Sequence, residues 1–310
     1  MMETVLITGG TGLVGKRLTS LLVEKGYKVI ILSRNIDKLQ HNGAVSFAKW
    51  DIDKQTIDLK ALQTADYIIH LAGAGVVAKR WTESYKREIL ESRTKSSKLI
   101  TDSLKLHSNQ VKAVVSSSAI GWYGPDKTPV IPFTEDDVPA ADFLGQTCVS
   151  WEESISHASE SGARVCKLRT GIVLSKEGGA LAEFIKPIRF GLAAILGNGN
   201  QKISWIHIDD LCRMFIYAME NNSISGSYNA VANKPVSNKE LTLTLARAIK
   251  GRFFTPFYVP AFLLKLVLGG SSIEVLKSTT VNNAKIKAAG FTFLYPSVES
   301  AIGEITGKKL

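Results

Sequence analysis

Three glycines, at positions 9, 12 and 15, stand between a short apolar run and a helical repeat, and no other feature constrains the fold as tightly. Val5-Leu6-Ile7 reads as a buried strand, and Leu13, Val14, Leu18, Leu21 and Leu22 recur with helical period until Gly26. In a strand–turn–helix of this kind Gly9 permits the tight turn. Gly12 lets backbone N–H groups approach a pyrophosphate at the helix N-terminus, and Gly15 lets helix and strand pack closely. The spacing alone is weak, since a plain strand-to-helix turn also satisfies it. Strand, turn and helix in this order point to a dinucleotide cradle built from Gly9, Thr11, Gly12, Leu13, Val14 and Gly15.

Further apolar runs follow at 27–32, 45–47, 67–71, 111–115 and 165–168, with helical patterns between them that are clearest at 82–106 and 143–161, the latter closed by Gly162. Continuous apolar strands joined by helical crossovers predict an α/β fold, a doubly wound parallel sheet of the Rossmann type. At 310 residues the chain has room for this domain over 1–250 and for a small, mainly helical module over 251–310 on the substrate side. That second part follows a helix start with capping-box spacing, Ser237 to Glu240. Its aromatic cluster, Phe253, Phe254, Phe257, Tyr258 and Phe262, is expected to be mostly core where the module docks. Helical patterns are expected at 260–268 and 282–289, closed by Gly290.

The formal charge of +10 invites a nucleic-acid reading, but the Lys and Arg residues are spread along the chain with acids between them, as in Lys86-Arg87-Glu88. A solvated surface accounts for them better, so no nucleic-acid partner is expected. Cys148, Cys166 and Cys212 form no CxxC pair and no metal-ligand spacing, which argues for a reducing compartment and no metal site. No signal peptide fits, and the longest apolar stretch, 259–268, contains Lys265 and falls far short of the ~20 residues that span a bilayer. The expectation is a soluble, cytoplasmic protein without a membrane partner; the oligomeric state is not readable.

The end of the second strand bears on the choice of cofactor. NAD-selective sites place an acid there for the ribose hydroxyls. Here the strand ends Ile31-Leu32-Ser33-Arg34-Asn35. Ser33 and Arg34 suit a 2′-phosphate, with Lys38 one helical turn further on, so NADP(H) is favoured over NAD(H). An ordinary surface arginine is the bland alternative.

These residues carry a resemblance. The chain resembles the extended short-chain dehydrogenases/reductases, the superfamily of sugar-nucleotide epimerases and dehydratases, from residue 3 to about 250. By that resemblance Asp51-Ile52 holds the adenine, and Leu71-Ala72-Gly73-Ala74 after His70 lies along the cofactor. Ser116-Ser117-Ser118-Ala119 would end the strand beside the substrate, with Ser116 at the cofactor and Ser118 at a substrate oxygen. Leu168-Arg169-Thr170-Gly171 and 205–211 match two later landmarks. More narrowly, Arg80-Trp81, Ser92-Arg93, Gly121-Trp122-Tyr123-Gly124 and Tyr228-Asn229-Ala230-Val231 are similar to an uncharacterised NAD(P)-dependent epimerase/dehydratase-like subfamily with an extra C-terminal helical module, which 256–302 would supply.

The resemblance also implies a catalytic Tyr-x-x-x-Lys about 25 residues past the serine, and the chain lacks it. Asp142-Phe143-Leu144-Gly145-Gln146-Thr147-Cys148 stands there, pairing either Phe143 with Thr147 or Leu144 with Cys148. Neither a phenyl nor an isobutyl group transfers a proton. Ser118 and Tyr123 are the catalytic candidates that remain, although a packed tyrosine at a strand-to-loop turn accounts equally for Tyr123. Arg80, Trp81 and Arg93 would border the substrate cleft and suit an anionic ligand with a flat or apolar part. His207 joins them as a substrate-binding candidate, against the simpler reading of a hydrogen-bonded structural histidine in an apolar run. Cys148 reads as an inert core thiol.

Two classes of function survive. One is an NADP(H)-dependent oxidoreductase or epimerase-like enzyme on a small anionic carbonyl or sugar-nucleotide substrate. The other is an NADPH-binding, non-catalytic regulatory or redox-sensing protein. The intact dinucleotide signature and Ser118 favour the enzyme; the missing Tyr-x-x-x-Lys favours the alternative.

Overall fold

The structure, a computed structural model, describes residues 2–36 and 43–308; Lys38 lies outside them. The first half runs β1 (Thr4–Thr8), α1 (Leu13–Glu24), β2 (Lys28–Ser33), β3 (Val45–Asp51), β4 (Thr56–Ile57), α2 (Leu59–Thr64), β5 (Tyr67–His70), α3 (Glu83–Leu106), β6 (Ala113–Ala119) and α4 (Phe143–Ser156). There follow β7 (Arg164–Thr170), β8 (Ile172–Leu174), α5 (Ala180–Arg189), β9 (Leu192–Leu196), β10 (Lys202–Ile203), β11 (Trp205–His207), α6 (Ile208–Glu220), β12 (Gly226–Ala230), β13 (Val236–Ser237) and α7 (Asn238–Lys250). The C-terminal part holds β14 (Thr255–Val259), α8 (Ala261–Leu268), α9 (Ser272–Leu276), α10 (Ala284–Ala288) and α11 (Val298–Thr306).

Eight strands form the central sheet in the order β12-β7-β6-β5-β1-β2-β3-β4, parallel except for β4. Alternation along each strand sends side chains to opposite faces. Leu6, Ile68 and Val114 pack on Leu62, Leu99, Ile100 and Ile155 of α2, α3 and α4. Ile7, Ile69 and Val115 pack on Leu18 and Leu22 of α1 and on Leu211 and Phe215 of α6. Both faces are covered, which is why the strands read as continuous apolar runs. The order reverses between β1 and β5, so a crevice opens at their carboxyl ends, where such sheets bind ligands.

Caps set the helix starts. Thr82 accepts from Tyr85 N at 3.1 Å, Asp142 from Gly145 N at 2.8 Å, and the Ser237–Glu240 capping box forms as its spacing predicts. The helix expected over 143–161 ends at Ser156 and tightens into a 3-10 turn before left-handed Gly162. The polar edge strand β12 and the two-residue strands β10 and β13 carry no apolar run of their own, and β8–β11 and β9–β14 pair outside the central sheet.

A separate core joins α5, α7 and α11 through Leu181, Ile188, Leu241, Leu245 and Ile302. The aromatic cluster departs from expectation. Phe253 is 86 % exposed and Phe262 67 %, with Phe257 and Tyr258 also open; only Phe254 packs on the α5–α7–α11 core. The reason lies in β14, a two-stranded edge paired only with β9, and in α8, none of whose residues is buried. Among the described residues no helix is long and apolar enough to cross a membrane.

His70 fastens the crevice. The Thr8 hydroxyl accepts from Leu71 N and Ala72 N, both at 3.1 Å, so its one proton goes to His70 Nδ1 at 2.7 Å. Nε2–H then faces Ser97 and Ser96 at 3.2 and 3.3 Å. Burial, helped by the positive charge of Arg93, holds the His70 pKa down to about 3. The unfolded chain binds this proton near the ordinary histidine value of 6.5, so the stabilisation is complete above that pH and is lost as pH falls. Urea unfolding should therefore show stability falling by up to about 1.4 kcal/mol per pH unit below about 6, ahead of the carboxylates. His70→Asn should be less stable at neutral pH but show a shallower slope; parallel slopes in the two proteins would refute the assignment.

Candidate functional site

The crevice begins with the glycine turn. Gly9 sits at φ +68°, and a Cβ there would lie 2.9 Å from the Leu71 carbonyl carbon, so the β1 turn rests directly on the loop after β5. A Cβ on Gly15 would lie 2.3 Å from Gly9 O, which explains how α1 reaches the strand end. Gly12 differs. Its Cβ would meet only Gly9 O, at 3.2 Å, so the space above it is open. Gly12 caps α1 without a side-chain bond, and the first turn carries no acid, leaving N–H groups and the positive end of the helix for an anion. Thr11 is exposed, while Leu13 and Val14 pack on the core side. Gly10 was missed: its Cβ would lie 2.7 Å from Ile31 Cγ2, a steric requirement of the turn that the spacing rule does not mark.

The other cofactor candidates border the same crevice. Arg34 is exposed at the end of β2, beside Ser33, whose Oγ donates to Asn35 O at 3.0 Å. Asp51 Oδ1 at the end of β3 accepts from Asp53 N and Lys54 N, both at 3.0 Å, and fixes the turn that carries Ile52. Ala74 N donates to Ser92 Oγ at 2.9 Å, which holds 71–74 against α3. Ser116 is different: it is fully buried and its hydroxyl donates to Ser117 O, so its side chain does not open on the crevice.

The two catalytic candidates, Ser118 and Tyr123, are bound into a buried polar network. Ser118 Oγ donates to Glu152 Oε1 at 2.7 Å. Arg169 clamps Glu152 with two bonds, at 2.8 and 3.1 Å, and Ser227 donates to the same carboxylate at 2.8 Å. Arg169 stacks on Trp122 and donates to the Tyr123 hydroxyl at 3.0 Å. Tyr123, 2 % exposed, donates in turn to Asn229 Oδ1 at 2.6 Å. Burial pushes its phenol up to about 12 although Arg169 and Asn229 pull the other way. Burial also acts against the Glu152 carboxylate, yet Arg169 and the two serines hold it below the usual range. Such a network, with its members satisfied, fixes one arrangement of the core and leaves both hydroxyls engaged. Glu152 carries no sequence signal of its own, since its partner lies on another element.

Helix α4 sends the two candidate pairs in different directions. Leu144 and Cys148 face the end of β6: a Cβ on Gly121 would lie 3.3 Å from Leu144 Cβ, and Cys148 Sγ lies 3.6 Å from Ala119 O. Phe143 turns away, edge-on to Trp81 at 5.2 Å. Burial pushes the Cys148 thiol up to about 12, so it is inert. Arg93 of α3 approaches this point from the other side, near enough for its charge to act on Cys148. Its guanidinium lies over the Trp151 ring at 4.9 Å, and a Cβ on Gly73 would lie 3.2 Å from Cζ. It donates to Ile89 O at 2.8 Å, and no carboxylate pairs with it among the described residues. Burial alone holds its pKa below the ordinary arginine value.

Arg80 is exposed beside Gly269, and Trp81 Nε1 donates to Val76 O at 2.8 Å beneath Gly270, so both meet the C-terminal part. His207, expected at the substrate, is buried and makes these contacts. Its Nδ1 accepts from Asp209 N at 3.1 Å and caps α6, its Nε2 lies 3.0 Å from Glu304, and Tyr295 covers its ring. Both nitrogens are used. Among the described residues no group of His, Cys, Asp and Glu could hold a metal ion.

Residues 5–231 match the NAD dependent epimerase/dehydratase family, and 259–305 match a domain of unknown function, DUF1731. An epimerase family protein of Staphylococcus aureus is 34% identical over 307 residues, 99% of this chain and all of its own length. The epimerase family protein YfhF of Bacillus subtilis is 34% identical over 304 residues, 97% of each chain. Among solved structures, the human epimerase family protein SDR39U1 with NADPH superposes with a TM-score of 0.86 at 29% identity, over 98% of this chain and 99% of that one.

The cradle geometry separates two glycines that the spacing treats alike. Gly12 has φ −77°, which any residue adopts, so Gly12→Val should fold normally and lose NADPH binding, because its branches fill the open space. Gly15→Ala should instead lower stability, by about 1–3 kcal/mol, through overlap with the Gly9 carbonyl. Thermal unfolding and NADPH fluorescence on both variants check this; a Gly12→Val protein with unaltered affinity would remove the phosphate cradle.

Proposed function

Because the chain belongs to the NAD dependent epimerase/dehydratase family, we propose that it is an NADP(H)-dependent oxidoreductase or epimerase-like enzyme for a small anionic carbonyl or sugar-nucleotide substrate. When bound, the nicotinamide supplies or accepts the hydride. Gly12 and the uncapped start of α1 hold the pyrophosphate, and Asp51 and Ile52 border the adenine. Arg34, exposed where an acid would select NAD, pairs with the 2′-phosphate.

Arg93 carries the reading of the substrate side. It is a cation beside the cofactor loop with one backbone partner and no counter-ion among the described residues. Neither Phe143 with Thr147 nor Leu144 with Cys148 supplies a cation, so the positive charge reaches the site from α3 instead of α4. A guanidinium does not give up its proton near neutral pH, so Arg93 holds an anionic oxygen by charge-assisted hydrogen bonds while water supplies the proton. The closed Ser118–Glu152–Arg169–Tyr123 network favours the second reading, an NADPH-binding protein without turnover, because it leaves both hydroxyls engaged.

Two measurements test this. Arg34→Ala should weaken NADPH about tenfold to a hundredfold and leave NADH nearly unchanged; equal affinities in the wild type would refute the 2′-phosphate contact. Arg93→Met should lower NADPH-dependent turnover of carbonyl or sugar-nucleotide substrates by about 10²-fold or more. A broad substrate screen that consumes no NADPH, in a protein that binds it, moves the assignment to the second reading.

A further inference from the structure

Residues 184–208 and 241–273 contain no aspartate or glutamate, and they supply both strands of the β9–β14 sheet and the helix α8 that follows it. Apolar side chains stand open along this part of the molecule. Partners in a parallel ladder share a face, so Leu192 and Leu196 stand on the same side as Phe257 and Val259, while Ala193 and Ile195 turn into the core. At one end of the sheet Phe190 and Phe253 come close, since Thr255 N donates to Gly191 O at 2.8 Å, and each ring is 86 % exposed. At the other end Val259 leads through Pro260 into α8. There Phe262, Leu263, Leu266 and Val267 are all exposed, and at 3.6 residues per turn they fall within one arc of about 140°.

Cations border this apolar surface. Arg189 and Arg252 each precede one of the two open phenylalanines, and Lys265 lies about 60° around α8 from Phe262. All three are exposed, and no carboxylate pairs with them among the described residues. A second copy of the chain is a poor occupant for such a face. In a two-fold pairing the patch meets itself, so these cations would face one another with no acid to offset them. Strand addition along β14 is blunted too: Thr255 N is directed to β9, so Pro256 faces the free edge and has no N–H to give. A lipid surface with anionic headgroups suits both properties, since phosphates pair with the cations and protruding rings need no pocket.

We propose that the face formed by β14 and α8 docks on a bilayer surface that carries anionic headgroups. Phe253, Phe262 and Leu266 enter the boundary between headgroups and acyl chains, and Arg189, Arg252 and Lys265 lie among the phosphates. The chain rests on the bilayer and does not cross it, so the length needed to span sets no limit. Helix α8 belongs to the segment matched as a domain of unknown function, and the contact gives that segment a partner. None of these residues belongs to the dinucleotide cradle, so the docking is independent of the cofactor reading.

The full chain should co-sediment with vesicles of equal parts phosphatidylglycerol and phosphatidylcholine about tenfold or more tightly than with phosphatidylcholine alone, and salt should weaken the binding. Arg189→Gln with Arg252→Gln should lower affinity for the mixed vesicles roughly tenfold or more. Lys28→Gln with Lys60→Gln removes the same charge from exposed positions on β2 and α2 and should have little effect. Phe253→Ser with Phe262→Ser should weaken binding by a similar factor at unaltered thermal stability, because both rings are exposed. Phe253→Trp, in an otherwise unchanged chain, should bind and be quenched by lipid brominated in its acyl chains beyond the quenching of the native tryptophans. No binding of the wild type to the mixed vesicles overturns the proposal. Equal weakening by the two charge pairs overturns it as well, as does full binding by the serine variant, since net charge alone then accounts for adsorption. A dimer in solution that the serine variant dissociates gives the face to a second copy instead.

Discussion

The approach of Gly15 to the carbonyl of Gly9 sets where the other parts of the crevice can sit. With no side chain at 15, the start of α1 drops onto the end of β1, and the turn between them touches the loop after β5. That contact brings the open N-terminus of α1 to the point where the strand order reverses. The neighbouring chain then adapts to it. Thr8 and His70 tie the two strand ends together, Arg17 reaches Asp209 at 2.6 Å to hold α1 against α6, and Gly179 lies against Leu13.

Where the resemblance implies a Tyr-x-x-x-Lys pair, the start of α4 is engaged in packing. Leu144 and Cys148 close against Gly121 and Ala119, and the polar groups nearby are drawn into the pair between Glu152 and Arg169. A buried ion pair of this kind costs several kcal/mol of desolvation per charge, and only close geometry with further hydrogen bonds offsets it. Those bonds come from Ser118, Ser227 and the Glu135 carbonyl. Arg93 remains outside that closed set, so the only buried positive charge near Gly73 without a carboxylate partner among the described residues is the one on α3.

The parallel sheet and the glycine cradle were legible because their causes are local: an apolar run, a turn that needs glycine, a helix with one apolar face. Arg34 was singled out for the same reason, as it stands at the end of the run that forms β2, whereas Asp51 lies beyond the run 45–47 and was singled out by the resemblance alone. The network around Tyr123 was not, since its members come from β6, α4, β7 and β12, and no spacing rule couples residues 118, 152, 169 and 229. His207 misled for a related reason. A histidine before a helix start is chemically able to bind a substrate and equally able to cap the helix, and Glu304, far along the chain, decides between them.

The exposed aromatics show where composition stops being a guide to burial. Phe253, Phe257 and Phe262 lie on β14 and α8 or just before them, and these elements are anchored at few points: β14 by its ladder to β9, α8 by the turn that reaches Arg80 and Trp81. Further along, the chain regains firm contacts, with Val281 bridged to Phe133, Thr280 bonded to Asp126, and α11 in the core with α7. The lightly anchored stretch therefore lies between two fixed ends, and one of those ends touches the border of the crevice. Gly269 and Gly270 leave no side chain between the end of α8 and Arg80 and Trp81, so the helix end and these two residues meet at close range.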